Sequence, residues 1–566
     1  MRALPFLMAA MLLAGRAAEA QNPTVTAAAP PDSIFLDGVI YTGAGLAEDK
    51  PQTVEALAIR DGKVVAVGTT AEIRLLAGPN TRIRDLRSAR TGVTVFPGFN
   101  DAHVHLGTAA TELTNLDLAG VTSLKQMMDR VADYARRTPP DHWITGGRWD
   151  QTLWPGKKLP SRQELDRVTA GHPAFLVRVD GHIALANTAA LRAAGLSART
   201  QPPQGSAIDH DHKGRLTGIL RESAQELVEK AIPAPTPQER RGGLELAIAN
   251  ALSNGVTSVQ DFSHWQDFLV YEQLEKEGKL NLRITEWIPF KEPLAEEEDQ
   301  RAQHPADDPM LHTGMLKGFM DGSLGSRTAA LKKPFTDDPG NTGLPQFTQP
   351  ELNRMAVERA RAGFQLGFHA IGDRAVSMAL EAFSQPAVSR TARNRIEHAQ
   401  VVDPADIPRF RELGVIASMQ PSQLLTDMNW AEARLGPQRA AWSYTWKAFL
   451  DAGVRLAFGT DYPVEPISPY RGLYAAVTRR NEAGTKSYFP AQKITRGQAL
   501  YAYTQGSAYA EFAETTKGEL LPGYNADFIL VDRDLDKAPA EALLHAQTLE
   551  TWVAGRQVYL ANVHIR

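Results

Sequence analysis

Six side chains of this sequence combine metal-binding chemistry with a recurrent placement. His103 and His105 end the segment Phe96-Pro97-Gly98-Phe99-Asn100-Asp101-Ala102-His103-Val104-His105. Successive residues of a strand face opposite ways, so these two imidazoles project to one side, about 7 Å apart along the chain. Such a pair can chelate one divalent ion, although alone it equally suits two polar residues in a turn. Lys317 interrupts the apolar run Met315 to Asp321, where an unpaired ammonium is costly. His369 follows Phe368, His398 follows Ile396-Glu397, and Asp461 closes Phe458-Gly459-Thr460-Asp461. One such residue at a strand end is ordinarily a satisfied polar group. Six on five strands, all at the same end, are hard to explain by packing and point to a metal site.

Composition narrows the alternatives. Of 566 residues, 43% are hydrophobic and 22% charged, enough for a large packed core. Lys+Arg total 61 against Asp+Glu 65, a net charge of −4 that offers no electrostatic footprint for nucleic acid. Cysteine is absent, which excludes disulfides, iron–sulfur clusters and thiol nucleophiles and leaves any metal to the 14 histidines and the carboxylates. Gly322-Ser323-Leu324-Gly325 has the wrong spacing for a serine nucleophile elbow. No phosphate-cradling glycine motif and no His-Glu-x-x-His is found, so nucleotide binding and zincin proteolysis are not indicated.

The elements that position the six follow from periodicity. Eight short apolar strands separated by helical stretches are predicted: Val95 to His105, Thr257 to Asp261, Leu282 to Trp287, Met315 to Asp321, Gln365 to Ala370, Arg395 to Gln400, Val415 to Gln420 and Arg455 to Asp461. Eight βα units close into a TIM-type (β/α)8 barrel whose chemistry sits at the C-terminal strand ends. The first two strands are too far apart for a simple crossover, so about 107–250 reads as an insertion in the first βα loop. Strands Ser33 to Thr42, Val54 to Ile59 and Lys63 to Val67 near one end, and Ala526 to Asp532 and Thr548 to Tyr559 near the other, are each too few for a core. They predict a small β-sandwich built from both chain ends, 21–96 with 512–566, around a barrel at 97–511.

The start of the chain carries Arg2, an apolar run Ala3 to Gly15, and Ala18-Glu19-Ala20 before Gln21. That is the pattern of a signal peptide over 1–20, cut after Ala20, and predicts a secreted or periplasmic protein with no membrane span after processing.

Together these segments resemble the amidohydrolase superfamily, and more closely amidohydrolase family 3, the branch containing N-substituted formamide deformylases. The likeness rests on Pro97-Gly98-Phe99-Asn100-Asp101-Ala102-His103-Val104-His105, Lys317 with Asp321-Gly322-Ser323-Leu324-Gly325-Ser326-Arg327-Thr328-Ala329, His369 with Gly372-Asp373, Arg395-Ile396-Glu397-His398 and Gly459-Thr460-Asp461. Gly147-Arg148-Trp149-Asp150, Asp180-Gly181-His182 and Pro522-Gly523-Tyr524-Asn525-Ala526-Asp527 extend it over nearly the whole mature chain.

The resemblance implies two divalent ions, most readily zinc: one on His103 and His105, the other on His369 and His398. A carbamylated Lys317 would bridge them, and Asp461 would bind the first metal beside the attacking water. It implies a hydrolase of a non-peptide C–N bond (amide, formamide or cyclic amide) in a small-molecule substrate, with Asp461 as general base and acid. Lys317 argues against the one-metal deaminases of the same scaffold. An ester or lactone hydrolase, and a non-catalytic or regulatory ligand-binding paralogue, are the alternatives. Substrate contacts are expected from His182, Asp321, Gln420 and Arg327, each against a plain loop hydrogen bond, while Trp149, Trp154 and Trp265 are expected to pack rather than line a pocket. Barrels of this kind often pair into homodimers, and the sequence leaves the assembly open.

Overall fold

The chain's computed structural model describes residues 29–88, 92–179, 181, 183–203 and 206–562. The predicted signal peptide and its cut lie outside these residues. Eight strands form one all-parallel sheet: β1 Phe99–Val104, β2 Val256–Asp261, β3 Arg283–Pro289, β4 Leu311–Phe319, β5 Leu366–Ala370, β6 Arg395–His398, β7 Ile416–Met419 and β8 Leu456–Phe458. Closure is made just past the ends of β8 and β1. Asp461 N–H donates to the His103 carbonyl at 2.8 Å, and His105 N–H donates to the Tyr462 carbonyl at 2.8 Å. The hydrogen bonds that shut the TIM barrel thus join three of the six candidate residues.

The first predicted strand is two strands. Thr94–Pro97 belongs to a different sheet, and β1 starts after Gly98. A methyl at Gly98 would stand 2.2 Å from Thr257 Oγ1, so only glycine lets the chain pass this close to β2. Ser33 to Thr42 and Val54 to Ile59 divide in the same manner, each half pairing in another sheet. The sheets are Lys63–Gly68, Ala56–Arg60, Ser33–Leu36 and Arg82–Asp85 on one side. On the other, Arg556–Leu560, Thr548–Val553, Phe528–Val531, Thr94–Pro97, Ile40–Tyr41 and Thr53–Val54 lie in that order. Strands from both chain ends therefore share a sheet. Phe35 meets Phe528 edge-on at 5.1 Å, and Phe528 stacks on Trp552 at 5.4 Å, giving this small sandwich its own core.

The insertion has a sheet of its own, Ala207–His210, Leu216–Arg221, Ile183–Ala186, Ala174–Arg178, Ile144–Trp149 and Leu116–Asp117. Trp149 and Trp154 are buried in it, each indole N–H held by a carbonyl, of Leu176 at 2.9 Å and Val121 at 3.0 Å. Trp265 stacks on Phe268 at 4.4 Å. The far boundary differs from the sequence reading. Helix Pro237–Ser253 buries Leu244, Ala247, Ile248, Ala251 and Leu252 in the barrel core, and a methyl at Gly243 would sit 2.9 Å from the Ala110 carbonyl. It is a helix of the barrel rather than of the insertion. Among the described residues no helix is long and apolar enough to cross a membrane.

Candidate metal centre

The six predicted residues converge above the closed end of the barrel. Lys317 Nζ lies 3.0 Å from His103 Nε2. Asp461 Oδ1 lies 3.2 Å from His105 Nε2 and 3.6 Å from His103 Nε2. One ligand atom from each of His103, His105 and Asp461 falls within a common 4.8 Å. His398 bridges to the remaining imidazole, its ring centroid 5.1 Å from His103 and 4.5 Å from His369. His103, Lys317, His398 and Asp461 are all buried.

Three of the candidate ligands, His103, His105 and Asp461, are aimed by a partner behind them. His105 Nδ1 meets the Phe262 carbonyl at 2.9 Å; only a protonated Nδ1 can bond there, so Nε2 turns its lone pair inward. His103 Nδ1 meets Glu397 Oε2 at 2.8 Å, an arrangement that fixes the ring and raises its basicity toward a metal. Glu397 is in turn paired with Arg395 Nε at 2.8 Å, and Arg395 Nη2 donates to the Ala102 carbonyl and Ser418 Oγ, each at 2.8 Å. Gln423 Nε2 donates to Asp461 Oδ2 at 2.8 Å, leaving Oδ1 toward the imidazoles. His398 and Asp461 hold φ of +69° and +60°, a left-handed backbone that costs a residue with a Cβ about 1 kcal/mol. Both left-handed residues stand at or just past strand ends, where the cluster gathers.

The electrostatics favour neutral donors. Burial, then the neighbouring Lys317, holds His103 well below the ordinary histidine range; burial and His398 do the same to His369, and burial lowers His398. Burial alone would raise the Asp461 carboxyl; positive charge among His103, His105 and His398 is what holds it below the ordinary carboxylate range, a charge that neutral imidazoles lack and a bound cation would supply. Burial pushes the Lys317 ammonium down to about 8. His398 Nδ1 is buried without a hydrogen-bond partner. Uncharged imidazoles, an ionised carboxylate and an orphaned ring nitrogen form a nitrogen–oxygen donor set that fits a divalent cation.

The expected substrate contacts fare differently. Asp321 is buried with both oxygens engaged, by the N–H groups of Ile371 at 3.0 Å, Gly372 at 2.8 Å and Ala330 at 2.8 Å. It pins two loops and stands 3.6 Å from His369 Nε2. Gln420 Nε2 is 3.2 Å from His103 Nδ1, behind the ring rather than in front of it. Arg327 pairs with Asp337 at 2.9 Å, away from the six. His182 lies outside the described residues. Sequence reasoning passed over Glu397 and Gln423. For Glu397 a signal existed: Arg395 and Glu397 alternate within an apolar strand, so two opposite charges share one inward face. Nothing local marked Gln423.

Comparison with known proteins places this geometry. A profile of the amidohydrolase family matches residues 91–559. Protein LONG AFTER FAR-RED 3 of Arabidopsis thaliana is 32% identical over 555 residues, 95% of this chain and 94% of that protein. An N-substituted formamide deformylase of Arthrobacter pascens is 27% identical over 538 residues, 91% of this chain and 97% of the enzyme. Among solved structures, an uncharacterized metal-dependent hydrolase from Pyrococcus furiosus has a TM-score of 0.74 at 32% identity, covering 89% of this chain and 100% of that one.

Proposed function

The chain belongs to the amidohydrolase family, as its motifs anticipated, and we propose that this metal-dependent hydrolase cleaves a non-peptide C–N bond in a small amide, formamide or cyclic amide. The observation that carries the reading is Lys317, a buried lysine whose Nζ is 3.0 Å from a candidate ligand and 5.1 Å from the faces of Trp287 and Phe319. An ammonium pushed down to about 8 is partly unprotonated at neutral pH, and the free amine can add to carbon dioxide. The resulting carbamate turns a costly cation into an anionic ligand. It would bridge two ions, most readily zinc, held by His103 with His105 and by His369 with His398. When bound, divalent ions at such a site lower the pKa of a water from ~15.7 toward ~7 and polarise the substrate carbonyl.

The remaining steps belong to the chain. Asp461, ionised and fixed by Gln423 through Oδ2, accepts the water's proton on Oδ1 and returns it to the departing nitrogen. Without that proton the leaving group would be an amide anion, a very poor one. Glu397 and the Phe262 carbonyl keep His103 and His105 in the tautomer that faces the chamber. Phe262 and Phe319, their rings 5.7 Å apart and Phe319 38% exposed, give it an apolar wall. Similarity to the Arthrobacter pascens deformylase supports formamides as the first substrates to try, and the amino-terminal segment supports action outside the cytoplasm.

The test is Asp461→Asn assayed against formamides, N-acyl amino acids, lactams and lactones. We expect most of the metal to remain and kcat to fall by two orders of magnitude or more on the substrate found, about 2.7 kcal/mol in the barrier. Near-native turnover would remove Asp461 from this role. Activity confined to lactones would move the bond from C–N to C–O.

A further inference from the structure

A second set of metal-binding side chains lies at the opposite end of the barrel, ahead of β4. Helix Trp265–Lys276 presents Glu272 and Glu275, and the segment leading into β4 supplies His304 and Asp308. The His304 side chain is only 7% exposed, and its Nε2 is buried with no hydrogen-bond partner. Its Nδ1 is taken by Glu272 Oε1 at 3.1 Å. Nε2 instead faces Asp308 Oδ2 at 3.5 Å and Glu275 Oε2 at 3.7 Å. The Phe268 ring stands edge-on to the imidazole at 5.6 Å and closes its apolar side.

These distances have a physical reading. A charged imidazole hydrogen-bonded to a carboxylate closes to about 2.8 Å, which neither Asp308 nor Glu275 does. Ligand atoms held about 2.1 Å from a tetrahedral ion stand about 3.4 Å from one another, close to what the two carboxylates keep from Nε2. One ligand atom from each of His304, Glu275 and Asp308 lies within a common 4.8 Å. Glu272 plays toward His304 the part that Glu397 plays toward His103, holding one nitrogen so that the other offers its lone pair.

We propose that His304 Nε2, Glu275 and Asp308 bind a further first-row divalent cation, with Glu272 positioning the histidine. The imidazole selects the zinc class over magnesium or calcium, which prefer all-oxygen shells. The ion would tie helix Trp265–Lys276 to the loop that starts β4, and so brace the barrel at the end away from the chamber. Its role is structural, independent of the hydrolase reading.

The experiment titrates the metal-stripped full-length protein with Zn2+ by calorimetry and counts retained ions by plasma mass spectrometry after gel filtration. Wild type is expected to retain one more ion per chain than His304→Ala. Glu272→Gln is expected to keep the count but weaken one class of sites 10- to 100-fold. Should His304→Ala fail to fold, Asp308→Asn keeps the shape and reads the same loss. A crystal soaked in zinc should show anomalous density among the three ligands. Equal ion counts in wild type, His304→Ala and Asp308→Asn, with no anomalous density at the cluster, would overturn the proposal and leave His304 as an ion-paired structural group. No readout depends on turnover, so failure of the hydrolase reading leaves this result interpretable.

Discussion

Two buried polar clusters of this barrel hold their ionisable groups under opposite rules. At the N-terminal end, Glu511 accepts from Asn100 at 2.6 Å, from the Thr285 hydroxyl and from Lys517 at 3.0 Å, while Lys517 also reaches Ser258 at 3.0 Å. Burial would raise Glu511, yet Lys517 and His312 hold it below the ordinary glutamate range, so the carboxylate stays ionised and its oxygens are satisfied. At the C-terminal end, Lys317 lies among aromatic faces and neutral imidazoles, and His398 Nδ1 has no partner. One polar cluster is complete by itself and the other is complete only with something added. Stability is built at the first and withheld at the second, as expected where a site must bind what the chain does not carry.

That contrast can be broken most forcefully at Glu511. Replacing it by alanine strands the buried Lys517 ammonium, a loss of about 3–5 kcal/mol in urea unfolding, with the activity of the folded fraction unchanged. An intact stability would mean that the N-terminal network is not the structural end. Lys317→Met should act in the reverse sense. Folding holds the Lys317 pKa at about 8 against 10.5 in the unfolded chain, so the folded state carries a penalty that is full below pH 8 and is relieved as pH rises toward 10.5. Removing the charge should stabilise the metal-free protein by on the order of 3 kcal/mol at pH 7 while abolishing turnover. A variant that unfolds more readily at that pH would contradict the idea that this lysine is held at a cost for chemistry.

How much of this was legible in the sequence follows the same division. The six inward residues stood out because polar side chains at the ends of apolar strands are costly unless used, and their spacing along the chain matched a repeating βα unit. The barrel and the two-ended β-sandwich were readable from the same periodicity. What the sequence hid depends on contacts between distant segments. That Thr94–Pro97 leaves the barrel at Gly98 is decided by the proximity of Thr257, 159 positions on, and that helix Pro237–Ser253 belongs to the barrel is decided by the burial of Leu244, Ala247 and Ile248 against the barrel core. Asp321 shares the parity of Lys317 and so was expected to face substrate. Its oxygens are instead consumed by three backbone N–H groups from two other loops, a demand no local pattern announces. Gln423 reaches Asp461 across 38 residues from an unremarked helix.

The comparison sharpens at Glu397, which has features of both ends: it is fully buried and ion-paired to Arg395, yet its other oxygen serves His103. If it belongs with the chamber, Glu397→Gln should fold normally and lose 10- to 100-fold in zinc affinity of the stripped protein, because the amide orients the ring without the carboxylate's charge. A large loss of folding stability with unchanged affinity would assign it to the structural set instead.

The smallest expected effect concerns how the chamber is completed. Addition of carbon dioxide needs the free amine of Lys317, whose fraction rises from roughly 0.1 at pH 7 to roughly 0.9 at pH 9 for a group titrating at about 8. Metal-stripped protein given zinc and carbon dioxide together, at a fixed carbon dioxide pressure, should therefore regain activity roughly tenfold faster at pH 9 than at pH 7. Once both are bound the dependence should vanish, since the carbamate no longer competes with protons for the same lone pair. Reactivation equally fast at both pH values, or proceeding in rigorously carbon dioxide-free buffer, would mean that Lys317 enters the chamber as an amine and that the bridge must come from another group.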